Sequence, residues 1–341
     1  MQRKPAIAMG ILMALVGAVA AQRPQQPPVP PPPASKQQEP TIPIRVERVN
    51  VVFSVLNRRQ KFITDLNQQD FTVLEDGKPQ NILSFGRQTD LPLRVGILID
   101  TSNSIRDRLK FEQEAAVDFI HNVVRRRKDM AFLMTFDSEH GVVEDFTDDA
   151  GKLTEAVMRQ RAGGGTALYG GIRYACNEKL LNPPLPRGEN TQIRRVLVVI
   201  SDGIDTDPAG PLRSDAIEAC QRSETAIYTV STSTDWLSVS GDTPKKTHKT
   251  DGDKVLERFA EDTGGRAFFP YRIDDLARSF SDIDAELRSQ YQITYEPANK
   301  RADGRFRKIE IEVERDGLEV RSRKGYFADS PRTGQPTAQN K

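Results

Sequence analysis

Arg94-Val95-Gly96-Ile97-Leu98-Ile99-Asp100-Thr101-Ser102-Asn103-Ser104 is the stretch on which the reading of this 341-residue chain turns. Its first half is a short, nearly continuous apolar run, the pattern of a parallel strand buried on both faces. Asp100 follows at the strand's carboxyl end, and a helical pattern opens a few residues later. A second apolar run, Val196-Leu197-Val198-Val199-Ile200-Ser201, closes on Asp202, and Thr166 follows Gly163-Gly164-Gly165. Open α/β sheets bind ligands outside the carboxyl ends of their strands, so Asp100, Ser102, Ser104, Thr166 and Asp202 are expected to converge on one crevice. Three hydroxyls and two carboxylates are hard oxygen donors. They suit Mg²⁺, which wants near-octahedral oxygen ligation and keeps several of its waters.

Outward from this stretch the pattern alternates strand and helix. Helices are expected over 104–127, 152–159, 168–180, 211–222 and 254–263, with a last one striped by Ile273, Leu276, Phe280, Ile283 and Leu287. Strands are expected over 131–136, 142–146, 226–230 and 267–269. Such alternation means an α/β fold, a doubly wound, mostly parallel, Rossmann-like sheet with helices on both faces. The flanks read differently. Val49, Val51, Phe53 and Val55 alternate, Glu75-Asp76-Gly77-Lys78 is a hairpin turn, and Ile309, Ile311 and Val313 alternate with glutamates. Each flank alone offers about three strands, too few for comfortable stability, so the two are expected to pair into one small β-sandwich with the α/β unit inserted between them.

The five-residue pattern closely resembles the metal-ion-dependent adhesion site (MIDAS) of von Willebrand factor type A (VWA) domains. The family's Asp-x-Ser-x-Ser element stands as Asp100-Thr101-Ser102-Asn103-Ser104, its separate threonine matches Thr166, and its aspartate before glycine matches Asp202 in Ser201-Asp202-Gly203. The resemblance covers residues 93–290. It implies that both serines and the threonine ligate the metal directly or nearly so, that the aspartates act directly or through water, and that one position is left for a Glu or Asp of a partner protein. The implied cofactor is Mg²⁺, with Mn²⁺ or Ca²⁺ as alternatives. The order of β segment, type A domain and β segment behind an export signal also resembles a group of exported acidobacterial proteins. The expected organisation is a signal peptide at 1–20, a Pro-rich linker at 21–41, a β segment at 42–92, the VWA domain at 93–290, a second β segment at 291–329 and a tail at 330–341.

The signal reading rests on Arg3 and Lys4, an apolar stretch to Ala20 and Ala18-Val19-Ala20 as a cleavage site. The expected location is exported: periplasmic, cell-surface or secreted, with no transmembrane segment after cleavage. Lys and Arg number 49 against 48 Asp and Glu, a balance that argues against nucleic acid as a general partner. Arg125-Arg126-Arg127-Lys128 is read as a helix end whose cations complement the dipole. Cys176 and Cys220 are the only cysteines; export would permit a disulfide, and the sequence leaves their pairing open. His121, His140 and His248 lack the spacing of a zinc site. Asp205 and Asp207 are read as solvated rim residues that shape partner choice, and Trp236 as an interface anchor or a local packing residue.

An enzyme is not expected. A haloacid-dehalogenase-like phosphatase would need a carboxylate where Ser102 stands, and a P-loop would need a lysine after the glycines. No Ser-His-Asp grouping has a believable context. The leading expectation is a Mg²⁺-dependent protein-binding or adhesion module. The rival is a structural subunit of an envelope assembly whose metal site is incidental, and Mg²⁺-dependent phosphoryl transfer ranks third.

Overall fold

The computed structural model describes residues 48–87, 91–186, 192–233, 249–270 and 273–328. The signal, linker and tail readings, Trp236 and His248 lie outside them. Among the described residues no helix is long and apolar enough to cross a membrane.

The centre is a six-stranded sheet in the order β10-β9-β8-β5-β6-β7: β5 (Leu93–Asp100), β6 (Met130–Phe136), β7 (His140–Thr147), β8 (Arg194–Ser201), β9 (Thr225–Ser231) and β10 (Ala267–Phe268). Every pairing is parallel except β6 with β7. The chain therefore leaves β5 in one direction through β6 and β7, then crosses back to run through β8, β9 and β10 the other way. The reversal falls between β5 and β8, so the crevice of this sheet opens beyond their carboxyl ends. β5 is buried at all eight positions, which is why its sequence is continuously apolar instead of alternating.

Helices cover both faces. α1 (Leu109–Val123), α2 (Ala150–Met158) and α6 (Ile273–Leu287) pack Phe119, Ile120, Leu153, Val157 and Phe280 against one face. α3 (Leu168–Tyr174), α4 (Arg213–Arg222) and α5 (Asp251–Thr263) pack Leu168, Ile172, Ala216 and Phe259 against the other. Each of the Val, Leu, Ile and Phe side chains among them, fully buried, contributes roughly 1.5–3 kcal/mol. Cys176, in a π-helical turn after α3, is bonded to Cys220 of α4, with Cα atoms 5.0 Å apart. That closes a pairing the sequence left open. Bridging positions 44 residues apart is worth about 2–4 kcal/mol through loss of freedom in the unfolded chain.

Two sequence expectations need correction at α1. The helix does not begin at Ser104: a 3-10 turn (Asn103–Ile105) and a further turn precede it, because Ser102 and its neighbours are held to the site described below. Nor do Arg125–Lys128 lie on its last turn. The helix ends at Val123, and Arg125 turns back to pair with the fully buried Asp129 carboxylate at 2.6 Å.

The flanks form the sandwich. One sheet runs β13-β1-β11-β4, with β1 (Val49–Asn57), β4 (Ile82–Arg87), β11 (Tyr291–Tyr295) and β13 (Leu318–Ser322). The other runs β14-β12-β2-β3, with β2 (Phe71–Glu75), β3 (Lys78–Pro79), β12 (Phe306–Val313) and β14 (Gly325–Phe327). Each flank supplies four strands, and both sheets mix the two: β1 pairs antiparallel with β11 and β2 with β12. Phe53, Phe71, Val73, Tyr291, Ile293 and Ile309 fill the space between. Asp76 and Gly77 turn β2 into β3 at φ 49° and 75°.

The sandwich meets the amino end of the central sheet through a buried polar network. Glu286, near the end of α6, accepts from Ser54 Oγ of β1 at 3.0 Å and from Arg321 of β13 at 3.1 Å. Gln290 Nε2 donates to Ser54 Oγ at 3.2 Å and to the Tyr228 hydroxyl at 3.1 Å. Arg194, the first residue of β8, donates to the Leu287 carbonyl and to Gln290 Oε1. Burial pushes the Arg194 guanidinium down to about 10, against the pull of Tyr228 and Glu286.

Candidate metal centre

Asp100 ends β5 and Asp202 follows β8, so the two strands on either side of the reversal each deliver one carboxylate to the crevice. Asp100 is fully buried. Its Oδ1 accepts from the Ser102 backbone N–H and its Oδ2 from Ser201 Oγ, both at 2.8 Å. Desolvation pushes its carboxyl up to about 6; the bonds from Ser102 and Ser201 oppose this, and Asp202 adds to it. Asp202 Oδ1 accepts from the Ile204 N–H at 3.0 Å, an Asx turn that sets the carboxylate's direction. Ser102 Oγ and Ser104 Oγ lie 2.8 Å apart.

Thr166 arrives on the glycine loop, which is fastened to the same segment. Gly163 N–H donates to the Thr101 carbonyl at 2.7 Å, and the Asn103 N–H to the Gly164 carbonyl at 3.3 Å. Gly164 has φ +77°, and a Cβ there would lie 2.9 Å from Ser138 Oγ and 3.1 Å from Asp137. Glycine is needed here for close approach to a neighbouring loop, a demand distinct from the loop mobility that the resemblance implies. Thr166 itself is pinned by its backbone: its N–H donates to Thr206 Oγ1 at 2.8 Å, and its carbonyl accepts from the Thr206 N–H at 2.8 Å.

The three segments that carry the five residues are thus bonded to one another beside Asp100. The donor set fits a small hard cation, with two carboxylates and three hydroxyls as the available oxygens. Among the described residues no three acidic, histidine or cysteine side chains converge closely enough to hold an ion.

Three further features escaped sequence reading. Asp205 and Asp207 are tied to backbone: Asp205 caps α3 through the Tyr169 N–H at 2.8 Å and also accepts from the Asp207 N–H, while Asp207 accepts from the Ala209 N–H. Gly203, at φ +80°, sits against α5 so tightly that a Cβ would fall 2.2 Å from the Gly252 carbonyl oxygen. The pairing of an Asp-Gly after one strand with a glycine in the first turn of a remote helix leaves no local signal. The third is Glu112 of α1, only 1% exposed, whose carboxyl oxygens have no hydrogen-bond partner among the described residues. Burial pushes its carboxyl up to about 8; Asp100 and Asp202 add to this, while Arg108 and the Thr232 hydroxyl oppose it.

A doubly wound sheet with an oxygen-rich crevice at its reversal is the class that fold and site define. Residues 95–204 match the family model of the von Willebrand factor type A domain. Among solved structures, the chain is similar to an aerotolerance-related membrane protein from Bacteroides fragilis with multiple mutations to serines. The identity is 17%, covering 57% of this chain and 98% of that one, with a TM-score of 0.44. It is also similar to the vWF domain of the type V pili tip protein Mfa5 from Porphyromonas gingivalis, at 14% identity over 57% and 95% of the two chains, TM-score 0.43. A third is proximal thread matrix protein 1 from the mussel byssus with a zinc-occupied MIDAS motif, at 13% identity over 63% and 50%, TM-score 0.45. No curated protein matches the chain.

Proposed function

We propose that this chain is an exported protein-binding module that captures a Glu or Asp side chain of a partner protein on a Mg²⁺ ion held by Asp100, Ser102, Ser104, Thr166 and Asp202. What supports the reading is that the segments carrying these residues are bonded to one another beyond the carboxyl ends of β5 and β8: Ser201 Oγ donates to Asp100, Gly163 to the Thr101 carbonyl and Asn103 to the Gly164 carbonyl. Ser102, Ser104 and Thr166 would offer their hydroxyls to the ion, and the two aspartates would bind it directly or through water. A divalent ion set among neutral hydroxyls keeps much of its charge, so an incoming carboxylate becomes a strong, charge-assisted ligand. Export rests on the signal-like segment at the amino terminus. The same donor set can take Mn²⁺ or Ca²⁺.

Binding without catalysis is the reading we adopt. Calorimetric titration with Mg²⁺ tests it, followed by partner capture from a surface extract with Mg²⁺ or with EDTA. The expected result is saturable Mg²⁺ binding and EDTA-sensitive capture, both lost in Asp202→Ala with the fold retained by circular dichroism. Capture that survives EDTA would favour a structural subunit with an incidental site.

A further inference from the structure

Ile204, Asp205 and Thr206 form the turn after Asp202-Gly203, and each is bonded to a different part of the candidate centre. The Ile204 N–H donates to Asp202 Oδ1 at 3.0 Å. Asp205 Oδ2 accepts from the Tyr169 N–H in the first turn of α3 at 2.8 Å. Thr206 meets Thr166 twice: its Oγ1 accepts from the Thr166 N–H at 2.8 Å, and its own N–H donates to the Thr166 carbonyl at 2.8 Å. Three consecutive residues therefore tie one candidate ligand, Asp202, to another, Thr166, and to the helix that opens just after it. The glycine loop is also held by the hairpin between β6 and β7. Ser138 Oγ accepts from the Gly165 N–H at 2.8 Å, and the Asp137 carbonyl from the Ala167 N–H at 2.6 Å. A Cβ on Gly165 would lie 3.1 Å from Thr206 Oγ1 and 3.4 Å from Ser138 Oγ, so the loop backbone is seated against both hydroxyls. Ser138 holds the neighbour of Thr166; Thr206 holds Thr166 itself.

We propose that Thr206 is a positioning residue of the metal centre, which fixes Thr166 relative to Asp202 before metal arrives. The site is then preformed, not assembled by movement of the glycine loop. The inference rests on the metal reading above and extends it to a residue outside the five-residue pattern. Thr206 acts through the Thr166 backbone and is not a ligand. Groups that orient metal ligands tune affinity through that placement, and a support already in position lowers the ordering cost of binding. Thr206 is solvent-exposed, so its side chain fills no core space.

The test titrates Mg²⁺ calorimetrically into the wild-type chain, Thr206→Val and Thr206→Ser, and follows hydrogen exchange of the Thr166 amide without metal. Valine keeps the shape and the backbone N–H but removes the hydroxyl, and serine restores it. Substitution at an exposed position is expected to leave the fold intact, which circular dichroism checks. Partners that orient metal ligands are typically worth about 10–100-fold in affinity, and a loss of that size is expected in Thr206→Val, with Thr206→Ser close to wild type. The Thr166 amide should be protected in the metal-free wild type and exchange faster in Thr206→Val. If Thr206→Val fails to fold, the wild-type amide decides. Equal Mg²⁺ affinity in wild type and Thr206→Val overturns the inference and leaves the five-residue site standing. So does an equal loss in both variants, which would make residue 206 a packing position. A Thr166 amide protected only once Mg²⁺ is added overturns it too, because the metal would then assemble the loop. A wild-type chain that binds no Mg²⁺ overturns both readings.

Discussion

At the amino end of the central sheet, Arg194, Gln290, Ser54, Tyr228, Glu286 and Arg321 are drawn from both the α/β layer and the sandwich, and they bond to one another. At the carboxyl end, the side chains of Glu112 and Thr232 are buried as deeply and have no hydrogen-bond partner among the described residues, while the Ser102 and Ser104 hydroxyls bond to each other. The first region is a joint whose polar groups are satisfied within the chain, so it specifies how two layers meet. The second leaves acceptors without partners among the described residues, and it is there that the proposed metal would bind.

The comparison can be broken at either end. The largest effect is expected at the joint. Glu286→Ala leaves Arg321 and Ser54 without their buried acceptor, and removing one partner of a buried ion pair costs about 3–5 kcal/mol. Chemical denaturation should show that loss, with Mg²⁺ affinity unchanged; a fall in Mg²⁺ affinity would mean that the two ends are not independent.

A smaller effect is expected at the crevice, and it depends on pH. In the metal-free protein the Glu112 carboxyl titrates at about 8, against an ordinary value of 4.5. The folded chain therefore holds a proton that the unfolded chain has released. This contribution is fully present below about 4.5 and is lost as pH rises to about 8, with Asp100 acting in the same sense up to about 6. The slope from one such group is at most about 1.4 kcal/mol per pH unit. Denaturation across this range should show stability falling with pH in the wild type and a shallower fall in Glu112→Gln. Identical slopes would mean that the Glu112 carboxyl is not desolvated, and the contrast between the two ends would lose its main support.

Much of the architecture was legible because the relevant signals are local. A strand buried on both faces has no polar side to display, so Val95–Ile99 and Val196–Ile200 read as parallel strands at once. The five candidate residues could be picked out for the same reason, since each stands next to an element whose end could be read. What escaped depends on partners remote in sequence. Glu112 reads as one more charge in Leu109-Lys110-Phe111-Glu112-Gln113-Glu114, and its burial appears only when α1 is laid on the sheet. Asp205 looks like rim charge until α3 places the Tyr169 N–H against it. The Cys176–Cys220 bond needed the packing of α3 and α4. The start of α1 was misplaced because Ser102–Ile105 read as a helix start, whereas the crevice holds these residues in a tighter turn.

The central claim is that one hard cation binds where the five residues meet. Crystals of the wild-type chain grown with Mn²⁺, measured at the manganese absorption edge, test it most directly. The account predicts a single strong anomalous peak within ligand distance, about 2–2.5 Å, of Ser102, Ser104 and Thr166 hydroxyl oxygens, with Asp100 and Asp202 bound to it directly or through water. A peak at another carboxylate cluster, or none in the crevice at saturating Mn²⁺, would contradict it.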